Sequence, residues 1–410
     1  LSNSSQPSHS HSSSYSASAG QDSGPVDSSG FNLISGSSPN PNLNSNPNSN
    51  SNSSPAFSLP QLRDLVKIDD DVTNDNYGHY PDRRPIESLL KYGLVLVDKP
   101  AGPTSHEVVA WVKRLLEIDK AGHSGTLDPG ATGLLPLGLG EGTKALSVLL
   151  LGPKEYYVLA RMHAHISSDR MEKIAREFTG EIYQRPPQRS SVKRVTRIRS
   201  IYEFECLEQY DRLVLMRVLC QAGTYIRKMI YDIGEVLGVG ATMVELRRTR
   251  VSNLTEACGF ARLHDLADGF RLYRQQGKDE KLRRLVRPIE DCLQGIRGMT
   301  VRDTAVDALC HGAPLAVPGV TAVPKGLKKG ELVGVYTLKG EIVGLGEAAM
   351  TESEIAENVK GVAFVMKRLI MEPGTYPKAW HSSGANAAAQ NAKYVPLVDL
   401  NRLEKDSQDV

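Results

Sequence analysis

Gly122-His123-Ser124-Gly125-Thr126-Leu127-Asp128-Pro129-Gly130-Ala131-Thr132-Gly133 decides how this chain is read. Four glycines and a proline in twelve residues specify irregular backbone, because glycine tolerates left-handed angles and proline withdraws a donor. Asp128 precedes Pro129, which biases it towards an extended conformation and projects its carboxylate from a loop. A projecting carboxylate suits a nucleophile or a base. Asp-Pro-Gly equally suits an aspartate that only caps the following turn. His123 alone is open to the same two readings, acid–base group or structural histidine.

Working outward, residues 94–97 form an apolar run that predicts a buried strand, stopped by Asp98-Lys99-Pro100-Ala101-Gly102-Pro103. Thr104 or Ser105 then caps a helix whose Val108, Val109, Val112, Leu115 and Leu116 share one face. Downstream, Gly138-Leu139-Gly140-Glu141-Gly142-Thr143-Lys144 matches neither the dinucleotide nor the P-loop spacing, so a nucleotide cofactor is not expected. A second strand-like run, 213–219, precedes Gln221-Ala222-Gly223. From Thr224 the positions Ile226, Met229, Ile230, Ile233 and Leu237 make an amphipathic helix that Gly238 ends. After about residue 297, runs at 332–338 and 341–346 predict a hairpin turning at Lys339-Gly340, with a third strand in 361–371.

The chain of 410 residues is too long for one ordinary core, and its 40% apolar and 23% charged content is globular. Residues 1–60 are Ser/Asn-rich, hold no Lys or Arg, and are expected to be a disordered tail. Both ends are net acidic, so residues 61–380 are more basic than the formal +2 suggests, which permits a nucleic-acid partner. Residues 184–199 carry Arg185, Arg189, Lys193, Arg194, Arg197 and Arg199 with no acid. Such a run is either a solvated face or a phosphate-backbone contact. A second cluster is Arg247, Arg248 and Arg250. No apolar run approaches the roughly 18 residues of a membrane span, and no secretory signal is evident. The five cysteines form no C-x-x-C pair, which favours a reducing intracellular compartment over a disulfide framework or a zinc site.

Taken together, the chain resembles the TruB/dyskerin class of RNA pseudouridine synthases over about residues 62–380. The motifs that carry the resemblance are Asp98 to His106, the Gly122–Gly133 loop with Gly142-Thr143-Lys144, Lys154-Glu155-Tyr156, and Cys220 to Arg227. Residues 80–90, Gln184-Arg185-Pro186-Pro187, residues 303–317, Tyr376-Pro377 and Trp380 place it nearest the archaeal/eukaryotic dyskerin type. The lack of a long basic C-terminal tail favours the archaeal-like form. Two departures are the Ser/Asn-rich start and Arg250-Val251-Ser252, where the family usually has Arg-Ser-Gly.

The resemblance implies an α+β architecture: a catalytic domain (91–296) on a mixed, mainly antiparallel sheet, then a small β-barrel-like PUA domain (297–372). It also implies an N-terminal extension (61–90) packing on the PUA domain and a mostly flexible C-terminal extension (373–410). The implied reaction isomerises uridine to pseudouridine, with no cofactor and no metal. Asp128 is the implied catalytic carboxylate, Arg227 its partner, Tyr156 the stacking ring and Tyr225 a nearby polar or acid–base group. His123, Lys193, Leu246, Lys99, Arg185, Arg247 and Arg248 are implied to bind RNA or line the pocket. Implied partners are an H/ACA guide RNA, an rRNA or tRNA substrate, and small proteins of the Gar, Nop and kink-turn-binding kinds, with no membrane. The compartment would be cytoplasmic in an archaeon and nucleolar in a eukaryote. A stand-alone tRNA uridine-55 enzyme and a non-catalytic RNA scaffold are the competing expectations.

Overall fold

The computed structural model describes residues 59–186 and 195–378. In chain order the strands to Val251 are β1 (Leu65–Lys67), β2 (Gly93–Lys99), β3 (Ala121–His123), β4 (Thr132–Leu139), β5 (Lys154–Met162), β6 (Gly180–Gln184), β7 (Arg197–Tyr210), β8 (Leu213–Cys220) and β9 (Ala241–Val251). They continue as β10 (Leu254–Thr255), β11 (Val286–Pro288), β12 (Gly298–Val301), β13 (Leu315–Ala316), β14 (Val320–Pro324), β15 (Leu332–Tyr336), β16 (Ile342–Ala348) and β17 (Val362–Leu369). Six helices matter below: α1 (Ile86–Lys91), α2 (Ser105–Leu115), α3 (Ser147–Leu151), α4 (Ser168–Phe178), α5 (Ile226–Leu237) and α6 (Leu263–Gln276).

Ten strands make the first sheet, in the order β11-β2-β4-β9-β5-β8-β7-β6, with β3 on β4 and β10 on β9. Its pairings are antiparallel except β4 with β9, so the sheet is mixed and mainly antiparallel. The alternation Val158, Ala160 and Met162 on β5 with Val214, Met216 and Val218 on β8 turns one face towards Met171 and Ile174 of α4 and Met229, Ile230 and Ile233 of α5. That period-two pattern meeting a helical stripe is what builds this core. A second core packs β2 and β4 against Val108 and Val112 of α2 and Leu266 of α6. Thr104 starts α2 with a reciprocal capping box to Glu107, and Gly238 ends α5 at φ 73°, as the sequence predicts.

The second sheet runs β1-β14-β12-β15-β16-β17-β13 as an open path, not a closed barrel. The expected small β-rich domain is present, and no described pairing joins its end strands β1 and β13. Leu65, Val66 and Lys67 of β1 pair antiparallel with Pro324, Val323 and Ala322. The β15–β16 hairpin is present, but its connection is five residues long, not two. Thr337 donates its N–H to the Glu341 carbonyl, and Gly340 at φ 84° turns the chain inside that loop. At Ser252, where a glycine is usual, φ is 56° between β9 and β10, a left-handed angle that costs a side chain about 1–2 kcal/mol.

Leu94, Leu96 and Leu134 of the first sheet share a core with Tyr336, Ile342 and Leu345 of the second and with Ile370 just past β17. Beside it lies a buried polar junction. Arg84 donates two bonds, of 2.8 and 2.7 Å, to the Glu290 carboxylate. Glu290 accepts from the Ile342 N–H at 3.0 Å, and Tyr376 donates to Glu341 at 2.8 Å. All five cysteines are free thiols. No helix among the described residues is long and apolar enough to cross a membrane.

Candidate active site

The 124–131 loop is irregular in sequence and is held from all sides. Ser105, fully buried at the start of α2, accepts from the Leu127 N–H at 2.9 Å and donates back to the Leu127 carbonyl at 3.2 Å. Gly102 N–H donates to the Pro129 carbonyl at 2.9 Å. Lys99 donates to the carbonyls of Pro100, Pro129 and Ala131 at 2.8–3.0 Å. Leu127 sinks into the α4/α5 core while its neighbour Asp128 stays exposed. Asp128 takes part in the following turn and also projects its side chain. Its carbonyl closes a turn with the Ala131 N–H, and its carboxylate reaches Arg227.

Arg227, on the first turn of α5, meets Asp128 through one guanidinium nitrogen at 2.5 Å. The two side chains come from positions 99 residues apart, so tertiary structure alone makes this pair. Both are roughly half exposed, 48% for Asp128 and 63% for Arg227, so solvent screens their attraction. The contact therefore orients the carboxylate more than it stabilises the fold.

Tyr156 packs on the core shared by Leu127, Ile226 and Leu246, and burial raises its phenol above the ordinary tyrosine range. Tyr225 caps α5 with its backbone: its N–H donates to the Gln184 side chain at 2.9 Å, and its carbonyl accepts from the same amide at 3.2 Å. Gln184, 2% exposed, thus fixes the entry to the Arg227 helix. Sequence reading assigned it no role. His123 is half-buried on β3, edge-on to His106 at 5.1 Å between ring centres. Burial, then the charges of His106 and Arg248, lowers its pKa and so favours the neutral ring.

Two of the cations expected on RNA, Lys99 and Arg248, are buried, and a third, Arg247, is partly exposed and ion-paired. Lys99 is 0% exposed and spends its ammonium on the three carbonyls above, with its pKa lowered by burial. Arg248 is 1% exposed and donates to the carbonyls of Leu134 at 2.9 Å and Gly125 at 3.0 Å. Arg247 points to the opposite face, where it bonds Asp98 at 2.9 Å and Glu256 at 2.8 Å. Arg185 is exposed just past β6, and Lys193 lies outside the described residues. Lys154, which the sequence offered only as a motif letter, is a third buried cation. It donates to the carbonyls of Leu149, Leu150 and Gly152 at the end of α3 at 2.6–3.0 Å, and burial lowers it to about 8.

An exposed carboxylate pinned in a rigid loop, steered by a guanidinium and flanked by a core-seated tyrosine, fits a base-handling enzyme. Comparison with known proteins agrees. Residues 113–226 match the TruB family pseudouridylate synthase N-terminal domain, and 227–294 match the tRNA pseudouridylate synthase B C-terminal domain. Residues 298–370 match the PUA domain and 55–109 the DKCLD domain. A Methanopyrus kandleri protein named probable tRNA pseudouridine synthase B is 49% identical over 318 residues, covering 78% of this chain and 94% of that protein. An Archaeoglobus fulgidus protein of the same name is 47% identical over 323 residues, covering 79% and 99%. Among solved structures, the archaeal box H/ACA Nop10–Cbf5 complex matches at TM-score 0.69 and 43% identity over 77% of this chain and 98% of that one. An H/ACA particle bound to substrate RNA containing 2′-deoxyuridine matches at TM-score 0.71 and 42% identity, covering 79% and 100%.

Fold and site together define an RNA pseudouridine synthase with a PUA domain. The chain belongs to the TruB family, alongside the archaeal enzymes named tRNA pseudouridine synthase B and the Cbf5 subunits of H/ACA particles.

Proposed function

We propose that this pseudouridine synthase is the catalytic subunit of a box H/ACA guide ribonucleoprotein, with Asp128 as its reacting carboxylate. The Asp128–Arg227 pair carries the reading, because it supplies an oriented anion at an open surface next to a ring that can stack on a base. Isomerisation breaks the N-glycosidic bond and rejoins the same uracil through carbon. The proton lost from that carbon is balanced by one gained at the freed nitrogen, so neither a redox step nor a group donor is required.

In the ground state the uridine lies inside an RNA stack, and extruding it costs a few kcal/mol. Stacking on Tyr156, and backbone contacts from exposed cations such as Arg185, would offset that cost. Tyr225 sits at the α5 entry beside Arg227. Leu246, in the same core as Leu127, would line the uridine site, and His123 would contribute a hydrogen bond to RNA. Residues 61–90, 91–296, 297–372 and 373–410 are taken as extension, catalytic domain, PUA domain and tail. Partners of the Nop10 and Gar1 kinds and a substrate RNA, which the solved relatives contain, are proposed for this chain too.

A second reading, guide-independent modification of tRNA, is favoured by the names of the sequence relatives. The two separate in one experiment: the purified chain with an unmodified tRNA transcript, with and without guide RNA and partner proteins, and Asp128→Ala as control. Product only with guide and partners supports the particle. Product from the chain alone supports the tRNA enzyme, and equal product from the control removes Asp128 from the chemistry. A scaffold without activity would yield none in any arm.

A further inference from the structure

We infer that Arg248 is a positioning residue, joining Tyr156 to the loop that carries Asp128. The inference rests on the reading of Asp128 and Tyr156 as the reacting site. Arg248 stands where three strands meet: on β9 it is the cross-strand partner of Tyr156 on β5 and of Gly133 on β4. A register shift between Glu155 and Tyr156 leaves Thr249 unopposed and brings Arg248 opposite the tyrosine. Bulges of this kind re-aim side chains beside active sites. The approach to β4 is close enough to demand glycine. A Cβ on Gly133, at φ 96°, would lie 2.2 Å from the Arg248 carbonyl oxygen.

A buried guanidinium is normally matched by a carboxylate, because an unpaired buried charge is expensive. Arg248 is matched instead by the carbonyls of Leu134 and of Gly125 in the catalytic loop. Its charge partly offsets the burial that raises the phenol of Tyr156, its cross-strand neighbour. One planar fork thus ties the sheet to the loop, on the strand position directly opposite the stacking ring. Lysine, with a single nitrogen on a flexible stem, cannot reproduce that geometry. At 1% exposure the side chain is out of reach of an RNA phosphate, so its effect on the reaction passes through Tyr156 and the loop.

The test is a double-mutant cycle on the full chain with its RNA and any partners that activity requires. Single-turnover rates, RNA dissociation constants and thermal midpoints are measured for Arg248→Lys, Tyr156→Phe and the pair. Each single variant is expected to lose roughly 10- to 100-fold in rate, the scale of a small misplacement, with RNA affinity within about twofold. The double variant is expected to be no slower than the slower single, because both remove one link. Independent, multiplying losses overturn the inference. So does a loss confined to RNA affinity with an altered salt dependence, or a lowered thermal midpoint at an unchanged rate. If Arg248→Lys does not fold, Arg248→Gln is read by the same criteria. Tyr156→Leu distinguishes the underlying site reading: a normal rate there removes Tyr156 from the site whatever the cycle shows.

Discussion

At the Asp128 loop and the nearby end of α3, three buried cations face backbone carbonyls, whereas at the junction of the two sheets one buried cation faces two carboxylates. Lys99, Lys154 and Arg248 are each held by two or three neutral oxygens. Arg84 is forked on Glu290, with Glu341 3.9 Å away. Carbonyl dipoles solvate a cation without cancelling its charge, so the buried cations that hold the loop keep a positive field that attracts an incoming phosphate backbone. Lys99 is attracted to Asp128 in just this way. At the junction opposite charges cancel locally, and what remains is a directional lock between the N-terminal extension, the 289–293 turn and β16. The same economy of buried charge serves chemistry in one region and cohesion in the other.

The contrast breaks most readily at Glu290. Removing its carboxylate with Glu290→Ala strands a guanidinium in the interior, and a broken buried pair typically costs about 3–5 kcal/mol. Thermal unfolding should register a large drop with Asp128 chemistry intact in the surviving folded fraction. A small drop would mean the junction is not a lock. Arg227→Ala should behave in the opposite way: an unchanged thermal midpoint, because the pair is exposed, and a rate lower by about 100-fold in single-turnover assays. An unchanged rate would leave the guanidinium with no orienting role.

Lys154 sharpens the comparison through pH. Its folded value of about 8 lies below the ordinary 10.5, so between those pH values the unfolded chain binds the extra proton. Stability from this group therefore rises with pH across that window and is lost as pH falls through 8. Wild type should gain on Lys154→Met between pH 8 and 10, by at most about 1.4 kcal/mol per pH unit, in paired thermal melts. Parallel pH profiles would show that the ammonium is not held desolvated. The smallest effect is expected at Glu341, which burial pushes above the ordinary carboxylate range. A carboxyl raised in the folded state stabilises at low pH and loses that contribution as pH rises through its folded value. Glu341→Gln, which mimics the protonated form, should leave stability within about 1 kcal/mol of wild type or raise it at pH 7. A drop as large as that for Glu290→Ala would contradict the division of roles between the two carboxylates.

Much of the catalytic framework was legible because its signals are local. Glycine and proline mark the loop, and Thr104 with Glu107 marks the start of α2. The period-3.6 stripe and Gly238 mark α5. The Asp128–Arg227 contact came from motif resemblance, since nothing in the spacing of residues 99 apart joins them. Buried cations were misjudged because a lysine or arginine in sequence looks the same whether its partner is phosphate or a carbonyl. One clue was available: Arg248 is two positions from Leu246, so on a strand both face the core, whereas Arg247 faces away. The open second sheet and the five-residue β15–β16 connection were not legible. Closure of a sheet and loop bonds such as that from Thr337 to Glu341 depend on contacts far along the chain.

The most direct test of the central claim, that an oriented anion at position 128 carries the chemistry, is single-turnover pseudouridine formation by Asp128→Asn on pre-bound RNA. The substitution keeps size and hydrogen bonding while removing the charge. The expected result is RNA affinity within about twofold of wild type and a rate reduced by about 1,000-fold or more. A wild-type rate from the neutral amide would contradict the account.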